Sequence, residues 1–460
     1  MTRAHGGSLT ADLRMAWLLT RGSDRREWWR VGLTAVGAAL ATGIGMAVVA
    51  LNSLDGYYSV PFGAGLLDSA SDRRNVSAVA VLLLIPVLGF LGQCARIGAV
   101  HRDRRLATLR LAGAGPWQVR RIAALESGPA CLAGSVAAAA VFGTLLLLLW
   151  EHPAPAIWAG VVVVPVVVSV LGAAVSMLSL WRVVASPLGW VRRVRPTWGP
   201  GRALRVGIVL LGVMALGVSV SSFVGGPVDI ALGPPAVFAA VLVVGLATVS
   251  LTGTAARRLG GALAARAQSP AVLIAAERLR DDPWAAARTH ASVLLVTVVG
   301  AGFVGVRQVL LTTLHTMRRE GTLGADMDYY TTGIDLTGAA ILVALALVLS
   351  GLAVGTAESL AARRRGLAAQ VAAGVPYRVL ARALLLETAL PLAPAVLLAG
   401  AGGMGISVWY TSLASRNTPT EVPYAALLVP LVIYAACLLA AATSLPLLRR
   451  SVRPAELRYA

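Results

Sequence analysis

Ten apolar runs, each about long enough to cross a bilayer, constrain this chain more than any other feature of its sequence. A hydrocarbon layer of ~30 Å requires about 20 consecutive apolar residues in a helix. Within lipid, backbone polar groups must bond to one another, which leaves helices or closed barrels. The chain has 460 residues, of which 57% are hydrophobic and 13% charged. We therefore predict an all-α polytopic membrane protein with about ten transmembrane helices, near 31–52, 77–97, 124–149, 156–181, 204–224, 234–253, 290–311, 336–357, 383–406 and 424–447.

The basic residues of the chain predict its orientation in the membrane. The net charge of +19 would suggest nucleic acid in a soluble protein, but here the arginines lie in short loops between apolar runs. With a cytoplasmic N-terminus, the inner segments hold 34 arginines and the outer segments hold 6. Arginine-rich loops stay on the cytoplasmic side and face anionic lipid. We expect both termini in the cytoplasm of a multi-pass cell-membrane protein that contacts lipids and no nucleic acid.

Residue types that catalysis would require are missing or scattered. All 40 basic residues are arginine, so the chain has no lysine for a Walker A motif or a Schiff base. Cys94, Cys131 and Cys437 are widely spaced and predict neither disulfides nor a metal site. No ionisable group lies at the centre of a predicted span, which disfavours an ion-coupled transporter or an intramembrane enzyme. We predict a non-catalytic chain that binds no cofactor or metal itself. Arginine without lysine also suggests a bacterium with a GC-rich genome.

One stretch of the chain occurs twice. Residues 101–127 read HRDRRLATLRLAGAGPWQVRRIAALES, and residues 362–388 read ARRRGLAAQVAAGVPYRVLARALLLET. An offset of 261 positions aligns the glycines, the Leu-Ala pairs and the glutamates of the two copies. We predict an internal duplication with four spans, two linking spans and four spans. The segments are an amphipathic cytoplasmic N-terminal helix (1–30, helical over 9–19), a first repeat (31–181), a link with two spans (182–254), a cytoplasmic basic helix (255–289, with Ser269-Pro270 at a helix start), a second repeat (290–447) and a cytoplasmic tail (448–460).

Each copy has the sequence of a helical elbow that projects into the cytoplasm. Gly113 and Gly374 can end a short helix in a left-handed cap. Pro116 and Pro376 can start the next helix. We expect each elbow to present leucines ringed by arginines to a groove on an acidic partner. Ordinary topogenic loops would explain the arginines but not the recurring glycine, proline and glutamate. The predicted coupling residues are Arg104, Arg105, Leu106, Leu109, Arg110, Gly113, Pro116, Arg120, Arg121, Glu126, Arg363, Arg364, Arg365, Leu367, Gly374, Pro376, Arg382 and Glu387.

The two glutamates of the repeated stretch are expected to be structural. Glu126 and Glu387 stand where the following span is predicted to begin. An acid there can cap free backbone N–H groups or pair with a neighbouring arginine such as Arg121 or Arg382.

The repeated stretch resembles the signature of FtsX-like (MacB-type) ABC transporter permeases. RLATLRLAGAGPWQVRRIAALES is similar throughout, whereas GLAAQVAAGVPYRVLARALLLET has Gln370 and Val371 where leucine and arginine are usual. The resemblance covers the two four-span halves. It implies that the cytoplasmic helices dock on a separately encoded, homodimeric ABC ATPase, which binds the ATP and Mg²⁺. The outer loops 52–76, 312–335 and 407–423 are short, so the large extracytoplasmic domain of that family is absent.

Two functions are compatible with this resemblance. The first is the permease subunit of an ABC transporter that exports or extracts an amphipathic peptide, antibiotic or lipid. The small residues at 400–403 would allow close helix approach at a moving seam. The alternative is a mechanotransmitting regulator of a cell-wall enzyme, or a sensor of antimicrobial peptides, that moves no substrate.

Overall fold

The computed structural model describes residues 25–54, 56–58, 63–94, 113, 115–149, 154–179, 205, 209, 233–414 and 423–451. The chain divides into two compact units, residues 1–195 and 196–460. The predicted N-terminal helix at 9–19, most of the predicted span 204–224 and most of the tail lie outside the described residues.

Four long helices form the described part of the first unit. They are α1 (Arg25–Asn52), α2 (Ala70–Cys94), α3 (Pro116–Leu149) and α4 (Pro155–Ser179). Helix α1 packs against the other three, and α4 also packs against α2 and α3. Gly134 of α3 lies so close to the backbone of Ala35 in α1 that a β-carbon would collide with it. Small residues permit this kind of close helix packing in membrane proteins.

The second unit is built from long helices that are joined by shorter helices and one 3₁₀ turn. In chain order they are α5 (Gly233–Arg266), α6 (Pro270–Asp281), α7 (Pro283–Glu320), α8 (Met327–Ala362), α9 (Arg364–Ala372), α10 (Tyr377–Ala414), a 3₁₀ turn (Tyr424–Leu427), α11 (Leu428–Ala442) and α12 (Leu445–Ser451). Helix α7 packs along α10, and α6 lies against both α5 and α10.

The same pairs of helices pack in both units. When α1, α2, α3 and α4 are matched to α7, α8, α10 and α11, all five packed pairs of the first unit recur in the second. This pairing supports the duplication that the sequence predicts.

Helix α5 does more than link the two repeats. It packs against α7 and α10, with Val244 and Ala247 completely buried. The sequence pattern could not show this, because an apolar span has the same composition whether it faces lipid or another helix.

Nine helices among the described residues are long and apolar enough to cross a membrane. They coincide with nine of the ten predicted spans, and the described residues contain no strand. The all-α multi-pass class is therefore confirmed for the described part of the chain. The grouping of the spans and the cytoplasmic location of the termini stay predictions.

Several helices extend beyond the predicted spans. Helix α7 continues to Glu320 and α8 begins at Met327, so the connection predicted at 312–335 shrinks to a few residues around Gly321, whose φ is +71°. The predicted cytoplasmic helix 255–289 is instead the end of α5, all of α6 and the start of α7. Hydropathy marks only the lipid-facing part of a helix, whereas the backbone hydrogen bonds continue to a glycine or proline.

The predicted start of the basic helix is confirmed. Ser269 occupies the N-cap of α6 in an extended conformation, and Pro270 is the first helical residue. The hydroxyl of Ser269 makes no capping hydrogen bond, so its backbone carbonyl, which accepts from the N–H of Leu273, is what closes the first turn.

Candidate functional site

The second elbow is a short helix closed at its C-terminus by a glycine. Helix α9 ends at Ala372, and Gly374 adopts a φ of +91°. The N–H of Gly374 donates to the carbonyl of Val371 at 2.9 Å, and that of Val375 donates to the carbonyl of Gln370 at 3.0 Å. These two bonds define a Schellman motif, which satisfies carbonyls that a helix end would otherwise leave free. The predicted left-handed cap at Gly374 is confirmed.

The return from the elbow and the following span form one continuous helix. The carbonyl of Pro376 accepts from the N–H of Val379 at 3.0 Å, and α10 runs from Tyr377 to Ala414. At its start, the Tyr377 hydroxyl donates to the Leu445 carbonyl at 3.1 Å, and the Arg449 guanidinium lies 5.3 Å from the ring centre. These contacts join the start of the 38-residue helix α10 to α12.

The leucine of the second elbow is buried rather than presented. Leu367 is only 3% exposed and packs with four other buried leucines, Leu360, Leu380, Leu384 and Leu448. The expectation that Leu367 projects toward a partner is wrong. An amphipathic helix buries its apolar stripe against the nearest apolar surface, and here the ends of α8, α10 and α12 provide that surface.

The outward face of the second elbow consists of small residues bordered by arginines. Gly366 and Ala369 of α9 and Ala373 at its C-cap are exposed and recur at helical spacing. Exposed arginines border this face at positions 363, 365, 378 and 382. We call the exposed surface formed by Gly366, Ala369, Ala372, Ala373 and these arginines the elbow face.

A single carboxylate joins three elements at the base of the elbow. Glu387 of α10 accepts from Arg363, at the end of α8, at 2.6 Å and from Arg278 of α6 at 2.8 Å. The side chain of Glu387 is 21% exposed and that of Arg278 is 23% exposed. Charge-assisted bonds of this length are about twice as strong as neutral ones. The three residues therefore fix α6, α8 and α10 to one another.

The predicted environment of Glu387 was partly wrong. An arginine partner was expected, but the pairs formed are with Arg278 and Arg363 rather than with Arg382. Glu387 also does not cap a helix, because α10 begins ten residues earlier at Tyr377. Arg278 was not among the predicted residues. Its position on a separate helix, 109 residues away along the chain, leaves no signal in local spacing.

A cavity of about 120 Å³ lies beside this ionic group. It is lined by residues of α6, α7, α8 and α10 that include the two paired arginines and several hydroxyl groups, namely Arg278, Leu279, Asp282, Thr289, His290, Leu352, Gly355, Thr356, Ser359, Arg363, Leu384, Glu387 and Thr388. Two arginines and two carboxylates balance its formal charge, with histidine counted as neutral. Among the described residues, no cluster of three histidines, cysteines or acids could hold a metal ion.

The first elbow is described only in part. Gly113 has a φ of +98°, the left-handed conformation predicted for it, and it is exposed. The predicted restart is confirmed, since α3 begins at Pro116. The helix that Gly113 is predicted to end lies outside the described residues. Glu126 lies ten residues after the start of α3, as Glu387 lies ten after the start of α10. Arg120 and Arg121 also lie in α3. The remaining predicted coupling residues fall outside the described residues: Arg104, Arg105, Leu106, Leu109 and Arg110.

Comparison with known proteins identifies one family. No curated protein and no solved structure matches the chain. Residues 76–188 match the model of the FtsX-like permease C-terminal family, a segment that includes the whole first elbow. Members of that family are generally non-catalytic membrane subunits that work with a cytoplasmic ATPase. The chain is thus a multi-pass membrane protein that, over about a quarter of its length, is similar to the C-terminal part of FtsX-like permeases and so to the membrane permease component of an ABC-type system.

Proposed function

We propose that this chain is the permease subunit of an ABC transporter and that the second elbow, like the first, docks on a separate, homodimeric cytoplasmic ATPase. The observation that carries the proposal is the pair of hydrogen bonds that Arg363 and Arg278 donate to the carboxylate of Glu387. Because these bonds join the base of α9 to α6 and α10, a push on α9 would displace the membrane-spanning helices as a group. Matching elbows in the two halves would then engage the two subunits of the ATPase.

The elbow face defines what the partner must supply. Its centre is made of glycine and alanine, so the protruding apolar side chains must come from the ATPase. Its border carries Arg365, Arg378 and Arg382, so carboxylates on the partner would steer the encounter and fix the register. Small residues at a helix surface also let a partner helix approach closely.

The substrate we propose is amphipathic, such as a peptide, an antibiotic or a lipid. Arg307 and Asp335 form a 3.5 Å pair whose side chains are 45% and 70% exposed, so neither is a buried coupling group. Arg307 lies near the end of the predicted span 290–311, and Asp335 lies next to the start of the predicted span 336–357. An ion-driven mechanism would need ionisable groups there.

The test of docking is a bulky substitution on the elbow face. Ala369→Trp should abolish co-purification with the cognate ATPase and the stimulation of ATP hydrolysis in liposomes, because indole fills the surface that the partner must contact. Ala265→Trp is the matched control, since Ala265 is also exposed but lies at the end of α5 and is not part of the elbow face. The control should co-purify as the wild type does.

Equal co-purification of both variants with the wild type would overturn the docking proposal. Leu367→Ala is unsuitable for this test, because truncating a buried leucine costs about 2–5 kcal/mol of stability. A loss of coupling in that variant would report unfolding of the elbow as readily as loss of a contact.

A further inference from the structure

An apolar groove lies between α5 and α10, away from the elbow. One face of α5 forms most of its wall, through residues spaced three and four apart from Leu251 to Ala262, and α10 contributes Pro394 and Leu398. The groove has a volume of about 480 Å³ and is open along one side. We refer to it as the α5 groove.

Apart from Arg258, the described residues of the α5 groove offer no free hydrogen-bonding group along its wall. Its only hydroxyl belongs to Thr254, which is 4% exposed and donates to the carbonyl of Leu251 at 2.8 Å within its own helix. The remaining wall is leucine, alanine and proline, apart from one arginine. Such a surface suits a hydrocarbon chain, because a polar occupant would lose its bonds to water and find no replacement.

Arg258 is the one charged residue lining the groove. It is exposed, and no hydrogen bond or ion pair joins it to another described residue. It lies toward the end of α5 that also carries Arg257 and Arg266. Arg258 lies nearer that end of the groove, with Leu251, Thr254 and Ala255 farther along it. A cation beside an apolar wall matches an occupant with an anionic head and an apolar tail.

The length of the groove matches one leaflet. From Leu251 to Ala262, α5 rises ~16 Å at 1.5 Å per residue. This is about half of a hydrocarbon core that is ~30 Å thick. The part of the groove from Arg258 to Leu251 is ~10 Å long at 1.5 Å per residue, so it can hold the part of an acyl chain nearest to a headgroup bound by Arg258.

We propose that the α5 groove binds one acyl chain of an anionic phospholipid, with the lipid phosphate held by Arg258. The site would exist whether or not the chain couples to an ATPase, because none of its residues belongs to the elbow. The lipid would stabilise the packing of α5 on α10, as any ligand of the folded state does.

Lipid binding to the purified full-length protein tests this proposal. Native mass spectrometry with added phosphatidylglycerol or phosphatidylcholine should show that the wild type retains one phosphatidylglycerol preferentially. Arg258→Ala should weaken phosphatidylglycerol binding about fivefold, as expected for one arginine near an anionic headgroup, and leave phosphatidylcholine binding unchanged. Arg257→Ala is the matched control, since Arg257 is an exposed neighbour that does not line the groove. It should bind as the wild type does.

A second variant separates the apolar part of the site from the charge. Ala262→Phe fills the groove at an exposed position, so it should reduce the retention of both lipids while thermal unfolding stays unchanged. Equal losses in Arg258→Ala and Arg257→Ala would overturn the proposal in favour of diffuse surface charge. Undiminished lipid retention in Ala262→Phe, or displacement of the lipid by soluble glycerol phosphate, would also overturn it.

Discussion

At the scale of single residues, Glu387 has the most consequential contacts in the second unit. It is a half-buried carboxylate shared by two arginines from different helices. Its role is structural, as the sequence suggested, although its partners come from segments that local spacing could not identify.

Replacing Glu387 with glutamine should destabilise the second unit by about 1–3 kcal/mol, because two arginines lose a charged acceptor. The measurement is thermal unfolding of the purified protein. Glu277→Gln is the control, since Glu277 pairs with Arg280 on the same helix and both side chains are 51% exposed. That change should cost less than about 1 kcal/mol. Equal effects of the two changes would contradict a special role for Glu387.

Arg73 lies near the start of α2, in a segment predicted to be outside the membrane, where few arginines are expected. It is 1% exposed. Its guanidinium donates to the carbonyls of Leu67 and Asp68 at 2.9 and 2.7 Å. It also donates to the carbonyls of Leu54 and Gly56 at 3.0 and 2.6 Å. Arg73 therefore holds together the described parts of the loop between α1 and α2.

Removing this guanidinium should loosen the loop. Arg73→Ala removes the side-chain donor from the carbonyls of Leu54, Gly56 and Leu67, at a cost of about 1–3 kcal/mol for each buried group that water cannot reach. The Asp68 carbonyl keeps the N–H of Tyr58 as a donor at 3.1 Å. We expect faster proteolysis between α1 and α2 and a lower unfolding temperature. Arg74→Ala should change neither, because Arg74 is exposed and, among the described residues, bonds only to a carbonyl of its own helix, at 3.3 Å. Identical proteolysis of the two variants would show that the loop does not depend on Arg73.

At the scale of elements, α10 packs against α5, α6, α7, α11 and α12 of the second unit. The small-residue run at 400–403 was expected to allow close approach, and it does so toward three partners. Gly400 lies against Pro430 of the helix α11, Gly402 against Val244 of α5, and Gly403 against the backbone carbonyl of Val298 in α7. The close approach is confirmed, and movement along this seam stays a prediction.

A methyl group at Gly403 should separate α7 from α10. Gly403→Ala would place a β-carbon against the Val298 carbonyl, and overpacking of this kind costs about 1–3 kcal/mol. Gly405→Ala is the control in the same helix, because nothing lies within 4 Å of the added carbon. It should be neutral or stabilise by up to about 1 kcal/mol. The unfolding temperatures of the two variants should therefore shift in opposite directions or by clearly different amounts.

At the scale of the whole molecule, the arginine distribution predicts the orientation of the chain in the membrane. It predicts that the elbows lie in the cytoplasm and that the connection between α7 and α8 lies outside. The three native cysteines are buried, so they give little background in a labelling experiment.

Single cysteines at two exposed positions test the orientation. In intact cells, a membrane-impermeant maleimide should label Thr322→Cys, in the connection between α7 and α8, and should spare Ala369→Cys on the elbow face. After permeabilisation both should react, since both positions are exposed. Labelling of Ala369→Cys in intact cells would place the elbow outside and exclude contact with a cytoplasmic ATPase.

The sequence by itself determined the class of fold, the existence of the spans and the local form of the elbow. Span length, arginine-rich ends and the glycine caps at Gly113 and Gly374 all act through the backbone and its solvent, so each is visible within a few residues of sequence. These signals were enough to predict helices in lipid and the turn between α9 and α10.

Only the tertiary structure decided which surfaces face inward. It buried Leu367, paired Glu387 with Arg278, and placed α5 against α7 and α10. The physical reason is that a leucine, an arginine or an apolar helix has the same local pattern whether its partner is lipid, another helix or another protein. Contacts between residues a hundred positions apart are chosen by packing, and packing exists only in the folded chain.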